Sequence, residues 1–168
     1  RWGAGTRPPG ADDNASGTAS VLLLADLLAR GYEELPADAD ARSVLFVCFD
    51  AEESGLNGSR YYVTDPIVPL EDHALMINFD MVGRITNDRL LLSGMETGTG
   101  LPELLAPAMA NTDLELVIPN SMNGASDHSS FLAVGIPVLF SIIADFHDDY
   151  HTPADVAWKL NTEGGTQT

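Results

Sequence analysis

The feature that most limits how this chain can fold is an alternation of short apolar runs with helix-length apolar patterns, each closed by turn residues. Residues 43–49, 74–79, 88–92, 114–118 and 137–142 read as strands, rich in branched or aromatic side chains and bounded by Gly, Pro, Asn or Asp. Among them, residues 16–30 place Val21, Leu22, Leu24, Leu27 and Leu28 on one helical face, with Gly31 as a stop. Residues 101–111 form a helix opened by Pro102 and Glu103, and 127–134 a short helix ending at Gly135. Residues 153–160 follow a Thr-x-x-Asp helix start with Pro153 at the first helical position. Strands alternating with helices in 168 residues imply one α/β domain with a largely parallel sheet. Ligand sites in such sheets gather beyond the carboxyl ends of the strands, so acidic residues just after strands are the first candidates for chemistry.

Charge narrows the partners. Eight Lys and Arg against 25 Asp and Glu give a formal net charge of −17, while 45% hydrophobic residues suffice for a core. Nucleic acid and anionic membrane surfaces need clustered cations that this chain lacks, whereas surplus carboxylates suit metal ions. One cysteine, Cys48, excludes a disulfide framework, a zinc ribbon and an iron–sulfur site. No apolar run approaches the roughly 18 residues that cross a bilayer.

Four clusters follow strands or open helices: Gly10-Ala-Asp-Asp-Asn-Ala-Ser-Gly17, Asp50-Ala-Glu-Glu-Ser-Gly55, Asn78-Phe-Asp80 and Asp148-Asp-Tyr-His-Thr-Pro153. Each has a plain reading. Asp12, Asp13 and Asn14 can cap a helix, Glu52 and Glu53 can be a solvated loop, Asp80 can end a strand in a turn, and His151 can precede a capped helix. Each also has a chemical reading, because neighbours leaving a strand point in different directions. One carboxylate of the Glu52-Glu53 pair can then hold a cation while the other takes a proton from water, the division of labour that metal-assisted hydrolysis needs. His128, in Ser126-Asp-His-Ser-Ser130, is either a helix-start residue beside Asp127 or a ligand or oriented base. A His-Glu-x-x-His motif, a Gly-x-Ser-x-Gly elbow, a phosphate-binding glycine loop and a zinc-deaminase signature are all absent from the sequence.

In order along the chain, Pro9-Gly-Ala-Asp-Asp-Asn-Ala-Ser-Gly17, Ala51-Glu-Glu-Ser-Gly-Leu-Asn-Gly-Ser59, Asn78-Phe-Asp-Met81, Ser126-Asp-His128 with Phe131, and Tyr150-His-Thr-Pro153 with Asp155 resemble the M28 family of co-catalytic zinc exopeptidases. The resemblance implies a three-layer αβα sandwich with a mixed, largely parallel central sheet, peptide substrates, aminopeptidase activity and two zinc ions. It makes Asp13 the carboxylate bridging both metals, assigns Asp80 to the first metal and Glu53 and His151 to the second, and makes Glu52 the general base. Tyr150 is similar to the family's oxyanion-stabilising residue; Ser126-Asp-His128 receives no catalytic role. Secretion or a periplasmic location is a further implication. The family supplies one more first-metal ligand, a histidine in a His-x-Asp motif upstream of the Gly-Ala-Asp-Asp segment, and none of residues 1–12 is histidine. The expectation is a single catalytic domain over 1–168 that continues beyond both ends, the polar Glu163-Gly-Gly-Thr-Gln-Thr168 included, and that holds one zinc rather than two. Mixed carboxylate and imidazole donors suit zinc, with cobalt or manganese as substitutes. A single-metal acyltransferase resembling glutaminyl cyclase and a non-catalytic binding domain that kept the fold are the alternatives.

Overall fold

A computed structural model describes residues 8–122 and 126–161. Four strands, β1 (Met76–Phe79), β2 (Arg89–Ser93), β3 (Glu115–Val117) and β4 (Val138–Ile143), form one sheet in the order β1-β4-β2-β3. The β1/β4 and β2/β3 pairs are parallel and β2/β4 is antiparallel, so the sheet is mixed and mostly parallel, as the resemblance implies. Helices α1 (Gly17–Glu33), α2 (Asn57–Thr64), α3 (Leu101–Met109) and α4 (His128–Leu132) complete the regular structure of the described residues.

β4 is the anchor, because successive side chains of a strand point to opposite faces and both faces here are covered. Val138 packs with Tyr62, Phe131 and Ile136 under α2 and α4, whereas Leu139 packs with Met95 and Leu101 beside α3. Val138, Phe140 and Ile143 are almost fully buried, and each such burial stabilises by about 1.5–3 kcal/mol. A third cluster, Met81, Val82, Ile85, Leu90, Leu114 and Ile143, fills the space beyond the ends of β1 and β4.

Three sequence expectations fail, the first two for a tertiary reason. Residues 43–49 form no strand, because a strand is defined by its ladder and no described segment pairs with them. Residues 153–160 contain only a short turn at Ala157–Lys159; the Asp155 side chain, instead of capping its own helix, reaches across to backbone N–H groups near the other end of the chain. α1 runs through Gly31 to Glu33, and Leu22, Leu27 and Leu28 on its expected buried face remain exposed. α2 was not foreseen.

The topology places the site. β1 and β4 run the same way, so Asp80 after β1 and the loop after β4 that carries His151 leave the sheet on one side. There they meet the turn that opens α1, pinned because a Cβ on Gly17 would lie 2.3 Å from the Phe79 carbonyl oxygen. Among the described residues no helix is long and apolar enough to cross a membrane.

Candidate metal and catalytic site

The Gly10–Gly17 segment gives each of its polar side chains a separate task. Residues 11–16 form a wide turn rather than a regular helix, with non-helical backbone angles at Asp13 and Asn14. The Asn14 amide oxygen accepts the N–H groups of Gly17 (3.0 Å) and Met81 (3.1 Å), and its nitrogen donates to the Phe79 carbonyl (3.0 Å), which locks the turn onto the end of β1. Asp12 is fully buried, accepting the Gly83 N–H at 2.7 Å and lying 3.0 Å from His147 Nε2. Of the two aspartates, Asp13 is the one that lines the cleft.

Across that cleft, the segment after residues 43–49 turns sharply at Glu52–Ser54, entered through Ala51 with φ 58°. Gly58 closes the turn, since a Cβ there would sit 2.5 Å from the Asp50 carbonyl oxygen. The two glutamates diverge. Glu53 Oε1 lies 2.9 Å from His151 Nε2, and the same nitrogen lies 3.0 Å from Asp13 Oδ2. Glu52 lines the cleft with Asp13, Asp80 and Asp127; burial, and then the nearby Asp80, Glu53, Asp127 and Asp13, push its carboxyl up to about 7. Burial, followed by Asp80 and Glu53, raises Asp13 to about 6. Asp80 is raised as well, chiefly by burial, while a Ser126 hydrogen bond opposes the shift. Its Oδ1 is buried without a hydrogen-bond partner.

His151 adopts a left-handed backbone, φ 56°, and carries the Tyr150 ring stacked on its own at 3.7 Å. Its loop is stapled at several points. Asp149 joins Arg84 (2.7 Å) and Lys159 (2.8 Å), Asp145 joins Arg89 (2.7 Å), and His147 joins Asp12. The Tyr150 phenol is pushed up to about 12, first by burial and then by Asp13, Glu53, Asp80 and Glu52, which places its ring within the field of all four carboxylates.

Asp13, Glu53 and His151 thus offer ligand atoms within 4.8 Å of one another. Two carboxylates and an imidazole are a donor set suited to zinc, and the unpartnered Asp80 oxygen is the kind of atom a second cation would satisfy. The described residues fit a metal. His128 does not join them: it is fully buried, its ring stacks on Phe140 at 4.2 Å, and burial drops it to about 4, so it is a neutral core residue.

The sequence pattern of peptidase family M28 matches residues 2–167. The chain belongs to peptidase family M28. Aminopeptidase YwaD of Bacillus subtilis is 34% identical over 166 residues, covering 92% of this chain and 34% of that protein. Leucine aminopeptidase 1 of Pyrenophora teres f. teres is 29% identical over 160 residues, 88% of this chain and 40% of the relative. Among solved structures, the zinc aminopeptidase BSAP from Bacillus subtilis superposes with a TM-score of 0.77 at 29% identity, over 95% of this chain and 40% of that one. An aminopeptidase from Aneurinibacillus sp. strain AM-1 gives 0.72 at 31%, over 94% and 37%. This M28 chain therefore spans about 40% or less of the length of these relatives.

Of the residues singled out in the sequence, Asp13, Glu52, Glu53 and Asp80 line one cleft, His151 lies against Asp13 and Glu53, and Tyr150 stacks on His151; the sequence does not point to the supports Asp12 and His147. Their pairing joins distant parts of the chain, and the only local hint was an acidic-amide run longer than one helix cap requires.

The crowded carboxylates of this M28 chain make its metal-free form acid-preferring. Asp13 and Glu52 hold their protons in the folded state up to about 6 and about 7, against ordinary values of 3.8 and 4.5. Between those limits these two carboxyls bind more protons in the folded form than in the unfolded one, so raising the pH destabilises it, an effect that the lowered His128 offsets in part below about 6.5. With chelator present, the melting temperature should fall from about pH 5 to about pH 8, and zinc, which takes the place of those protons, should flatten that slope. A chelated protein whose melting temperature climbs over the same interval would contradict this electrostatic picture.

Proposed function

We propose that this chain is the metal-binding core of a zinc aminopeptidase that removes N-terminal residues from peptides. The observation that supports the reading most is the convergence of Asp13, Glu53 and His151 on one point, with Glu52 in the cleft beside them but outside the group. Asp13, Glu53 and His151 hold the zinc, and Asp80 shares a second cation with Asp13. When bound, the metal polarises the scissile carbonyl and lowers the pKa of water towards neutrality. Glu52 takes the proton from the attacking water and returns it to the leaving amine, a task suited to a carboxyl that the cleft already holds near neutrality. Tyr150 stands over His151, where its hydroxyl can donate to the oxyanion that develops on the carbonyl. Relatives named as aminopeptidases favour hydrolysis over the acyl-transfer and purely binding alternatives.

The experiment is hydrolysis of aminoacyl-nitroanilides by a chain extended upstream to the length of the relatives. Zinc-dependent cleavage that requires a free α-amino group is expected; equal cleavage of N-acylated substrates would refute an aminopeptidase. In the same assay Tyr150→Phe should lower kcat by about 10²- to 10³-fold with little change in KM. An unchanged kcat would remove Tyr150 from the chemistry.

A further inference from the structure

Two of the ligands, Asp13 and His151, come from opposite ends of the described chain, so something must fix their separation. The backbone tie between them is slight: the Ala11 N–H donates to the Asp155 carbonyl at a long 3.4 Å. The stronger link is the Asp155 side chain, only 1% exposed. Its Oδ1 accepts the Asp12 N–H at 2.9 Å, and its Oδ2 accepts the Asp12 N–H at 3.1 Å and the Asp13 N–H at 3.0 Å. One carboxylate thus gathers two consecutive backbone donors of the turn that presents Asp13, four residues after the histidine it faces.

We propose that Asp155 is a positioning residue for the metal site, its carboxylate fixing the Asp13 peptide so that the Asp13 side chain meets His151 at coordination distance. The inference rests on the reading of Asp13, Glu53 and His151 as metal ligands. Overall attachment of the two segments does not depend on Asp155 alone, since the Asp12 carboxylate separately binds His147 and the Gly83 N–H. What Asp155 alone supplies is the acceptor for the Asp13 N–H. An asparagine there sets a donor against a donor whichever way its amide turns: with its oxygen in the Oδ2 place its NH₂ faces the Asp12 N–H, and with its oxygen in the Oδ1 place the Asp13 N–H loses its acceptor. Groups that hold metal ligands in place change affinity by about 10- to 100-fold when removed.

The test measures zinc affinity by chelator competition, and the visible spectrum of the cobalt-loaded protein, for the wild-type chain, Asp155→Asn and Arg89→Ala. The last variant breaks the ion pair that ties Asp145 of the same loop to Arg89 on β2, without touching the Asp13 turn. At a temperature where all three are folded by circular dichroism, Asp155→Asn should bind zinc about 10- to 100-fold more weakly, with an altered cobalt spectrum, while Arg89→Ala keeps both properties of the wild type. If Asp155→Asn does not fold, Asp155→Glu decides the matter: it keeps the carboxylate but displaces it by one methylene, and its affinity should drop about threefold to tenfold, a smaller loss than full removal. Wild-type affinity and spectrum in the folded Asp155 variant, or an equal loss in Arg89→Ala, would overturn the positioning role while leaving the ligand assignment standing. A wild-type chain that binds no zinc would overturn the ligand assignment, and this inference with it.

Discussion

Glu52→Gln should lower kcat by about 10²- to 10⁴-fold and leave the zinc content unchanged, measured in a chain extended upstream to the length of the relatives. The size of the effect follows from what the two adjacent glutamates do. Glu53 lies 2.9 Å from the His151 imidazole and belongs to the ligand group, whereas Glu52 lies outside that group and lines the cleft with Asp80 and Asp127. Glutamine keeps the shape and one acceptor oxygen but cannot take a proton, so binding survives and proton transfer does not. Glu53→Ala should behave in the opposite way, losing metal first and activity as a consequence. If Glu52→Gln loses as much zinc as Glu53→Ala, the two roles have been exchanged.

The parts of this fold that could be read locally were the parts whose structure is decided locally. The strands at 76–79, 89–93, 115–117 and 138–143 match their apolar runs closely, and α3 starts at Leu101 with Pro102 in its first turn, as expected. Residues 43–49 have the composition of a buried strand, yet Val44, Leu45 and Phe46 are exposed, because a strand needs a neighbour and composition cannot supply one. α2 escaped notice because Asn57-Gly58 signals a turn and Tyr61-Tyr-Val-Thr64 favours extended backbone; packing of Tyr62 against Phe131 overrides both. Residues 153–160 show the reverse case, a sound local helix signal defeated by a distant claim on Asp155.

The site divides along the same line. Asp13, Glu52, Glu53, Asp80, Tyr150 and His151 stand out as candidates because each lies in a short motif at a strand end or helix start, and the resemblance gives those motifs a common purpose. Asp12 and Asp13 are adjacent and chemically identical, and only the structure shows that one is buried against Gly83 and His147 while the other faces the cleft. The separation between the turn at 10–16 and the loop at 145–155 in the sequence hides every interaction that joins them.

Metal binding carries the second large effect. Counting donors among the described residues, Asp13, Glu53 and His151 supply three ligands to one site, while Asp13 and Asp80 leave the other short of the three protein ligands expected of a catalytic zinc. The 168-residue chain should therefore bind close to one zinc. A ligand that binds only the folded form stabilises it by RT ln(1 + [L]/Kd), about 2.7 kcal/mol at a hundredfold excess over Kd, so one zinc should raise the melting temperature by several degrees. The gain should be largest near neutral pH, where the metal-free carboxylates of Asp13 and Glu52 are most crowded. In a chain extended upstream, an added histidine should complete the second site and raise the stoichiometry to two.

Equilibrium dialysis with metal analysis on the 168-residue chain, its His151→Ala variant and its Asp80→Ala variant tests the ligand assignment most directly. The geometry predicts one tightly held zinc in the wild type and in Asp80→Ala, and none in His151→Ala. Two tightly held zinc ions in the wild type, or zinc retained by His151→Ala, would contradict it.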